Sequence, residues 1–528
     1  MTSTELARAC VDALIRVGTR HVVLAPGSRN APLSLALADA AAAGVLTLHT
    51  RIDERSGAFL ALGIAKTSRV PVAVVTTSGT AAANLHPAVL EAAHAGVPLV
   101  AVTADRPARL RGTLANQTTR QTGLFGDAVG LDLDVVSSAD LDALTREVAG
   151  AGPTHLNVQL DDPLLPTDRY VPTASQPDRE PWTRGTPHLL AQGPRTVVVA
   201  GDDTGPGPRV LAEGAGWPLL AEPTSGARNG PNVIRGYRLL LGTELGDQVE
   251  RVVVAGAPTL SRPVQRLLAR EGVEVVSRRA RGRWADRPHP VAFEHDGPFE
   301  VDATADPAWL DAWRAADRSL SGRISEVLGE QDTITPYDVA AAVHAAVPAE
   351  GLLFVGASNP IRDLDLMAGA YPVGERRLII ANRGLAGIDG TISSAVGATI
   401  GRPHTTRSIL YVGDVTFLHD LTGLVIGPTE TRPDLTIVVA NDNGGSIFST
   451  LEQGAEQYSG DFEKLFGTPH GVDLGTVCNG LRVPHWKVAD KAELAHALAN
   501  PNGGIDVVEV PVRRDNRREL DARIRALV

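Results

Sequence analysis

The first third of the chain alternates short apolar runs with longer segments rich in Ala and Leu. The apolar runs cover 21–25, 46–48, 72–75 and 99–102, and each leads into a polar turn. A repeated order of strand, turn and helix is typical of a parallel sheet with helices on both faces. Ligands of such sheets bind beyond the carboxyl ends of the strands. We therefore expect the polar turns to share one binding edge.

The same rhythm returns in the last third of the chain and, more weakly, in the middle. The later apolar runs cover 352–355, 378–381, 409–412, 435–439 and 505–510, and those of the middle cover 196–200, 252–255 and 273–276. Stretches rich in Pro, Gly and charged residues at 171–194 and 281–307 predict loops around the middle segment. The pattern predicts an α/β protein of three domains, each with a parallel sheet flanked by helices, at 1–180, 190–320 and 330–528.

Composition restricts the class of protein further. With 528 residues the chain exceeds one ordinary core, and its net charge of −11 argues against general nucleic-acid binding. Its two cysteines, Cys10 and Cys478, form neither a disulfide framework nor a zinc cluster. The N-terminus lacks the basic segment and apolar core of a secretion signal, and no apolar run is long enough for a membrane span. We expect a cytoplasmic protein without membrane partners.

Two apolar runs of the last third deliver acidic side chains to one edge. Asp414 follows the run at 409–412, and Asp442, 28 residues later, follows the run at 435–439. Gly444 can offer a main-chain carbonyl without a blocking side chain. Hard oxygen ligands of this kind suit Mg²⁺. Ordinary turn chemistry is the alternative interpretation of these residues.

Glu54 is a candidate for acid–base work in the first domain. It lies at the end of a predicted strand, just before an Ala- and Leu-rich helix. A carboxyl group near apolar residues can hold or release a proton close to neutral pH. The alternative is a carboxylate favoured by the dipole at a helix N-terminus.

The Gly413-Asp414 turn and the later 441–445 turn together resemble the GDG…NN signature of thiamine diphosphate (ThDP) enzymes. The resemblance implies that Mg²⁺, or Mn²⁺, is bound by Asp414, Asp442 and Gly444 and holds the cofactor's diphosphate. Asp442 stands where such enzymes usually have Asn, and its added charge should raise metal affinity. The further cofactor contacts that the resemblance implies are Glu54, Ser78, Asn359, Ile388, Gly413, Thr416, Asn441 and Ile447.

The resemblance also concerns assembly. In ThDP enzymes the pyrimidine-binding and diphosphate-binding domains that share one cofactor come from different subunits. Domain 1–180 would bind the pyrimidine, where Glu54 meets N1′, and domain 330–528 would bind the diphosphate. We therefore expect a homodimer or homotetramer with active sites at the subunit interface.

Further motifs resemble one family of ThDP enzymes, the MenD family of 2-succinyl-5-enolpyruvyl-6-hydroxy-3-cyclohexene-1-carboxylate synthases. These motifs begin at Pro26, Asp53, Thr76, Thr103, Ala115, Ser358, Asn382, Gly387 and Asn443. They run in order along nearly the whole chain and are weakest in its middle. The family decarboxylates 2-oxoglutarate and adds the succinyl unit to isochorismate in menaquinone biosynthesis.

The arginine-bearing motifs fit substrates that bring four carboxylates between them, because guanidinium groups pair with carboxylates in a bidentate fork. The resemblance implies a substrate site of Arg29, Arg106, Asn116, Gln117, Arg262, Ser358, Arg362, Arg383, Phe448 and Leu451. Its catalytic residues would be Glu54, Arg29, Arg362 and Arg383. An ion pair between Asp105 and Arg106 within the turn is an alternative for Arg106.

Two other functions remain open from the sequence. The chain could be another ThDP enzyme, such as an acetolactate synthase or a 2-oxoacid decarboxylase, although such enzymes need fewer arginines. It could also be a catalytically inactive subunit of the same fold. The presence of Glu54, Asp414 and Asp442 argues against the second alternative.

Overall fold

A computed structural model describes residues 1–147, 152–177, 185–284, 286–304 and 306–528. Over these ranges the chain forms three large sheets of parallel strands, each flanked by helices. The predicted α/β class is therefore confirmed.

The first sheet has the strand order β2-β1-β3-β4-β6-β5. Its strands are β1 (His21–Leu24), β2 (Thr47–Thr50), β3 (Val72–Thr76), β4 (Leu99–Asp105), β5 (Leu131–Val135) and β6 (Thr154–Gln159). Its helices are α1 (Ser3–Arg16), α2 (Ala31–Ala42), α3 (Glu54–Ser68), α4 (Thr80–Ala83), α5 (His86–Ala95) and α6 (Asp142–Glu147). Every residue of β3 and β4 is buried, as expected for central strands covered on both faces.

The middle sheet is smaller and has the order β12-β11-β10-β8-β9, with β13 and β7 paired separately. Its strands are β7 (His188–Leu190), β8 (Thr196–Ala200), β9 (Leu219–Ala221), β10 (Arg251–Ala255), β11 (Glu274–Arg278), β12 (Phe293–His295) and β13 (Phe299–Val301). Its helices are α7 (Gly207–Ala215), α8 (Tyr237–Leu240), α9 (Glu244–Asp247), α10 (Arg262–Leu268) and α11 (Pro307–Gly329).

The third sheet has the order β15-β14-β16-β17-β19-β18. Its strands are β14 (Leu352–Val355), β15 (Leu378–Ile380), β16 (Ser408–Gly413), β17 (Leu435–Asn441), β18 (His485–Lys487) and β19 (Ile505–Pro511). Its helices are α12 (Pro336–Ala346), α13 (Asn359–Met367), α14 (Thr391–Ile400), α15 (Asp414–His419), α16 (Ser459–Phe462), α17 (Leu474–Gly480), α18 (Lys491–Ala499) and α19 (Arg517–Arg525). Strands β16 and β17 are adjacent, with Gly413 opposite Ala440, so the turns that follow them meet at one edge.

Helices α3 and α14 join the first and third sheets through glycines. A Cβ on Gly63 would lie 2.0 Å from the carbonyl oxygen of Ser394, and one on Gly397 would lie 2.1 Å from that of Leu60. Only glycine permits so close an approach of two helix backbones. Buried residues of both sheets consequently form one continuous core.

The observed elements differ in part from the predicted loops and domain bounds. Strand β7 lies inside the predicted loop 171–194, and strands β12 and β13 lie inside the predicted loop 281–307. Helix α11 continues past the predicted bound at 320. The bound at 180, with residues 178–184 of that loop, lies outside the described residues, as do residues 285 and 305 of the loop 281–307. The division 1–180, 190–320 and 330–528 stays a prediction. Within the described ranges, no helix is both long and apolar enough to cross a membrane.

Candidate cofactor and substrate site

A cavity of about 170 Å³ lies at the carboxyl ends of the central strands of the third sheet. It brings together ten of the residues predicted from sequence. They are Ser358, Asn359, Ile388, Gly413, Asp414, Thr416, Asp442, Gly444, Ile447 and Phe448.

Asp414 is held firmly at the floor of this cavity. It is buried at the start of α15. Its Oδ1 accepts the backbone N–H of Val415 at 2.8 Å, and its Oδ2 accepts the backbone N–H of Gly444 at 2.9 Å. The Nε2 atom of His470 lies 3.0 Å from the same Oδ2. The orientation of this carboxylate is therefore fixed before any ligand arrives.

Asp442 has one carboxylate oxygen that lacks a hydrogen-bond partner among the described residues. Its Oδ2 accepts the hydroxyl of Ser446, whereas its Oδ1 is buried without a hydrogen-bond partner among the described residues. Burial, and then the charge of Asp414, raise the pKa of Asp442 to about 7. A buried carboxylate and a half-buried one with an unsatisfied oxygen form a site that a divalent cation would neutralise. The donor set fits Mg²⁺.

The turn after β17 needs its glycine. Gly444 has a φ of +148°, and a Cβ on it would lie 2.1 Å from the carbonyl oxygen of Gly467. Arg514 donates to the carbonyl oxygens of Asn443 at 3.2 Å and Gly467 at 3.0 Å. The 441–445 turn therefore packs closely against the segment around Gly467. This contact fixes the main-chain position of Gly444, the predicted third metal ligand.

Two predicted cofactor contacts differ in their surroundings. Thr416 is buried and lines the cavity. Asn441 does not line it. The Nδ2 of Asn441 donates to Oε1 of Glu509 at 2.9 Å, and its Oδ1 accepts the backbone N–H of Asn443 at 3.0 Å. The structure thus shows the Asn441 side chain bracing the turn.

Arg362, on α13, and Arg383, just after β15, do not line this cavity themselves. Arg362 donates to the carbonyl oxygen of Ser358 at 2.6 Å, and Ser358 has the unusual φ of +71°. Burial, and then the nearby charges of Arg383 and Arg238, lower the pKa of Arg362. Arg383 is buried and donates to Oγ1 of Thr259, in the middle segment, at 2.9 Å. Three guanidinium groups therefore lie near one another here, and Arg383 also lies near the carboxylates of Glu222 and Asp202.

The apolar side of the site is only partly formed by the predicted residues. The Phe448 ring packs near that of Phe466, with centroids 5.7 Å apart. Leu451 is half-buried and does not line the cavity. Arg262 pairs with Glu452 at 2.7 Å, and both side chains are largely exposed. The middle segment therefore reaches the loop that follows Phe448 through Arg262.

A second cluster of predicted residues lies at the carboxyl edge of the first sheet. Arg106 donates to Oγ of Ser78 at 2.8 Å and to the carbonyl oxygen of Gln117 at 3.0 Å. Gln117 donates back to the carbonyl oxygen of Ser78 at 2.7 Å, and Asn116 beside it is exposed. Burial, and then the charge of Arg29, lower the pKa of Arg106.

The alternative pairing within the 105–107 turn is not observed. The carboxylate of Asp105 pairs with Arg111 at 2.9 Å, whereas Arg106 offers it only a backbone N–H at 2.8 Å. Arg29 donates to the carbonyl oxygen of Leu160 at 3.2 Å, and its Nε is buried without a partner in the described part of the chain. Arg29 also lies 3.9 Å from the largely exposed carboxylate of Asp162. Both guanidinium groups are therefore candidates for binding an anion.

Glu54 lies apart from the cavity of its own chain. It is partly exposed at the start of α3 and is not among the residues that line the cavity. The residues after it face the 419–422 segment. Arg55 donates to the carbonyl oxygen of His419 at 2.9 Å, and Ser56 lies 3.1 Å from Oδ1 of Asp420. Within one chain, Glu54 and the cavity are therefore separate.

Three polar residues that bind the predicted ligands or their turn, Ser446, His470 and Arg514, were not predicted from sequence. Ser446 binds Asp442 and accepts from Nδ2 of Asn359 at 2.8 Å. It directly follows the 441–445 turn, so that motif could have suggested it. His470 and Arg514 reach the site from distant segments, and nothing in their local sequence indicates this.

Comparisons with known proteins agree with this arrangement. The family model described as "Thiamine pyrophosphate enzyme, N-terminal TPP binding domain" matches residues 4–126. A relative from Nocardioides sp. is 60% identical, over 100% of this chain and 98% of its own length. Relatives from Kineococcus radiotolerans and Arthrobacter sp. are 46% and 45% identical, over 100% of this chain and 99% and 92% of their own lengths.

All three relatives are named 2-succinyl-5-enolpyruvyl-6-hydroxy-3-cyclohexene-1-carboxylate synthase. The resemblance carried by the motifs is therefore confirmed. The chain belongs to the 2-succinyl-5-enolpyruvyl-6-hydroxy-3-cyclohexene-1-carboxylate synthase family of thiamine diphosphate enzymes.

Proposed function

We propose that this enzyme uses ThDP and a divalent cation to decarboxylate 2-oxoglutarate and to transfer the succinyl unit to isochorismate. The observation that carries the proposal is the carboxylate pair of Asp414, which is buried, and Asp442, which has one buried and unsatisfied oxygen. In a family of thiamine diphosphate enzymes, such a pair is the expected binding site of the metal ion that neutralises the diphosphate.

The residues of the cavity fit this pair of cofactors. Asp414, Asp442 and the main-chain oxygen of Gly444 would hold Mg²⁺, or Mn²⁺, and Thr416 and Asn359 would donate to the diphosphate. When bound, ThDP supplies the nucleophilic carbon and the electron sink that decarboxylation and carbon–carbon bond formation require. Ile388 and Ile447 line the same cavity and would exclude water from the thiazolium side.

The arginines would bind and orient the substrate carboxylates. No carboxylate of the described residues pairs with Arg362, although this guanidinium is largely buried. A buried cation without a counter-ion is costly, and an anionic ligand would offset that cost. Arg383 adds a second buried guanidinium nearby, so a substrate with two carboxylates would be held at both ends.

The acid–base role falls to Glu54. Its carboxyl group would hold a proton at N1′ of the aminopyrimidine. Ser78, at the same edge of the first sheet, would contact the cofactor, and Arg106, which donates to Ser78, would bind substrate. Because Glu54 does not line the cavity of its own chain, the first-sheet edge of a second copy would complete the site. We propose a homodimer or homotetramer that works in the cytoplasm on small-molecule substrates.

A reconstituted assay tests the proposal. The purified enzyme receives 2-oxoglutarate, isochorismate, ThDP and Mg²⁺, and isochorismate loss is followed with each component omitted in turn. Isochorismate should disappear, with release of CO₂, only in the full mixture. Loss without ThDP, or CO₂ release that is indifferent to isochorismate with no coupled product, would overturn it.

A further inference from the structure

The segment that carries Arg383 is held from the first sheet by a buried carboxylate. Glu91 lies on α5, is 4% exposed, and accepts the backbone N–H of Gly384 and of Leu385, both at 2.7 Å. These amides directly follow Arg383. A single side chain 293 positions away in sequence therefore sets the backbone path after this arginine.

A buried lysine holds the other end of the same segment. The Nζ of Lys66, on α3, donates to the carbonyl oxygen of Ala381, two residues before Arg383. Lys66 is 5% exposed and lies 3.9 Å from Asp202 of the middle segment. Both ends of the 381–385 segment are therefore fixed by helices of the first sheet.

The approach of this segment to α5 is as close as the backbone allows. A Cβ on Gly384 would lie 2.6 Å from the carbonyl oxygen of Glu91. Burying a carboxylate is costly unless its oxygens are well satisfied. The contact combines a glycine with a buried acid. This combination indicates that the contact fixes the position of the 381–385 segment and does more than fill space.

We propose that Glu91 is a positioning residue for Arg383: it fixes the backbone on which the guanidinium is aimed at a substrate carboxylate. This inference rests on the proposed function, because it assigns Arg383 to the substrate site. Lys66 supports the same segment from its other end. Thr259 binds the guanidinium itself at 2.9 Å.

The variant Glu91→Gln tests this role with little change in shape. Its amide group can accept only one of the two N–H groups and turns a second donor toward the other. We expect the KM for the substrate that Arg383 binds to rise about tenfold or more, while the Kd for ThDP changes less than about twofold. Because ThDP binding is measured without substrate, the two quantities separate positioning of Arg383 from general damage.

Asp420→Asn is the matched control. Asp420 is equally buried and accepts the backbone N–H of Ser393 at 2.7 Å, so it also joins the first and third sheets, through Ser56. Both variants should lose thermal stability, but only Glu91→Gln should raise that KM. An equal rise of KM in both variants would assign Glu91 a merely structural role and overturn the proposal.

A double-mutant cycle and hydrogen exchange complete the test. If Glu91 acts through Arg383, then Arg383→Ala combined with Glu91→Gln should be no slower than Arg383→Ala alone. The amides of Gly384 and Leu385 should exchange faster in Glu91→Gln, a readout that needs no substrate. Additive losses in the cycle, or unchanged exchange, would overturn the inference. If the wild-type enzyme were inactive in the reconstituted assay, while Glu91→Gln still sped the exchange of the Gly384 and Leu385 amides, the proposed function would be refuted instead.

Discussion

The backbone N–H of Gly444 donates to Oδ2 of Asp414 over 2.9 Å and so ties together the turns that follow two adjacent strands. The same turn carries Asp442, whose second oxygen is buried and unsatisfied. Because β16 and β17 are paired in register, the two acids cannot move apart without breaking the centre of the sheet. The two acids are therefore held by adjacent central strands of the third sheet.

Ser446→Ala should weaken Mg²⁺ binding. The Ser446 hydroxyl binds Asp442 and accepts from Asn359, so its loss frees both side chains to turn away from the cavity. Partners that orient metal ligands are typically worth about 10- to 100-fold in affinity. The measurement is the Mg²⁺ concentration that half-saturates ThDP binding. Ser449→Ala is the control, because the Ser449 hydroxyl donates only to the carbonyl oxygen of Ser446 at 2.6 Å. Equal effects of both changes would contradict the assignment.

Gly444→Ala should destabilise the turn and weaken ThDP binding together. The added methyl would meet the carbonyl oxygen of Gly467 at 2.1 Å, and the backbone there has a φ of +148°. Strain of this kind costs about 1–3 kcal/mol of the free energy of unfolding. Chemical denaturation and calorimetry with ThDP check the two effects. Gly460→Ala, where an added Cβ meets nothing within 4 Å, should change neither.

Glu54→Gln should leave ThDP bound and slow turnover by about 100- to 10,000-fold, the usual worth of a general acid–base group. The carboxamide keeps the shape of the side chain but has no acidic proton to donate to the cofactor. Calorimetry measures the Kd for ThDP and the reconstituted assay measures kcat. Near-normal turnover would remove Glu54 from the acid–base role.

Complementation tests whether two copies share each site. Glu54→Gln and Asp414→Ala subunits, co-expressed with different tags and purified as the mixed dimer, place both defects in one site and none in the other. The mixed dimer should recover about half of the wild-type kcat, since one of two sites is intact. Each variant alone should be nearly inactive. A mixed dimer as inactive as its parents would show that Glu54 and Asp414 act within one chain.

The stability of the enzyme should fall in acid through Glu509, which braces Asn441. Burial raises the pKa of Glu509, but hydrogen bonds from His485, Asn441 and Lys487 outweigh it and lower the pKa from 4.5 to about 2. A lowered folded-state pKa means that the stabilisation is complete above the unfolded value and is lost between about pH 4.5 and 2. Its full size is about 3 kcal/mol. The free energy of unfolding, plotted against pH, should change less over this range in Glu509→Gln than in the wild-type enzyme. Equal slopes in the two proteins would refute the prediction.

The sequence predicted those parts of the site that lie at strand ends. Asp414 and Asp442 follow apolar runs, and adjacent parallel strands bring such positions together. The contacts of His470 and Glu91 could not be predicted, because they join segments 56 and 293 residues apart and depend on how loops and helices pack. Asn441 shows the converse. Its motif predicts a contact with the cofactor, but its amide donates to Glu509, which lies 68 residues later on the adjacent strand β19. Local patterns place residues on an edge, and only long-range packing decides which way they face.

Calorimetric titration of ThDP into the enzyme, with and without Mg²⁺, tests the central claim most directly. The wild-type enzyme should bind ThDP strongly only when Mg²⁺ is present, and Glu54→Gln should bind it equally well. The double variant Asp414→Ala, Asp442→Ala should bind none at the same concentrations. Wild-type affinity in that double variant, or binding that is indifferent to Mg²⁺, would contradict the account.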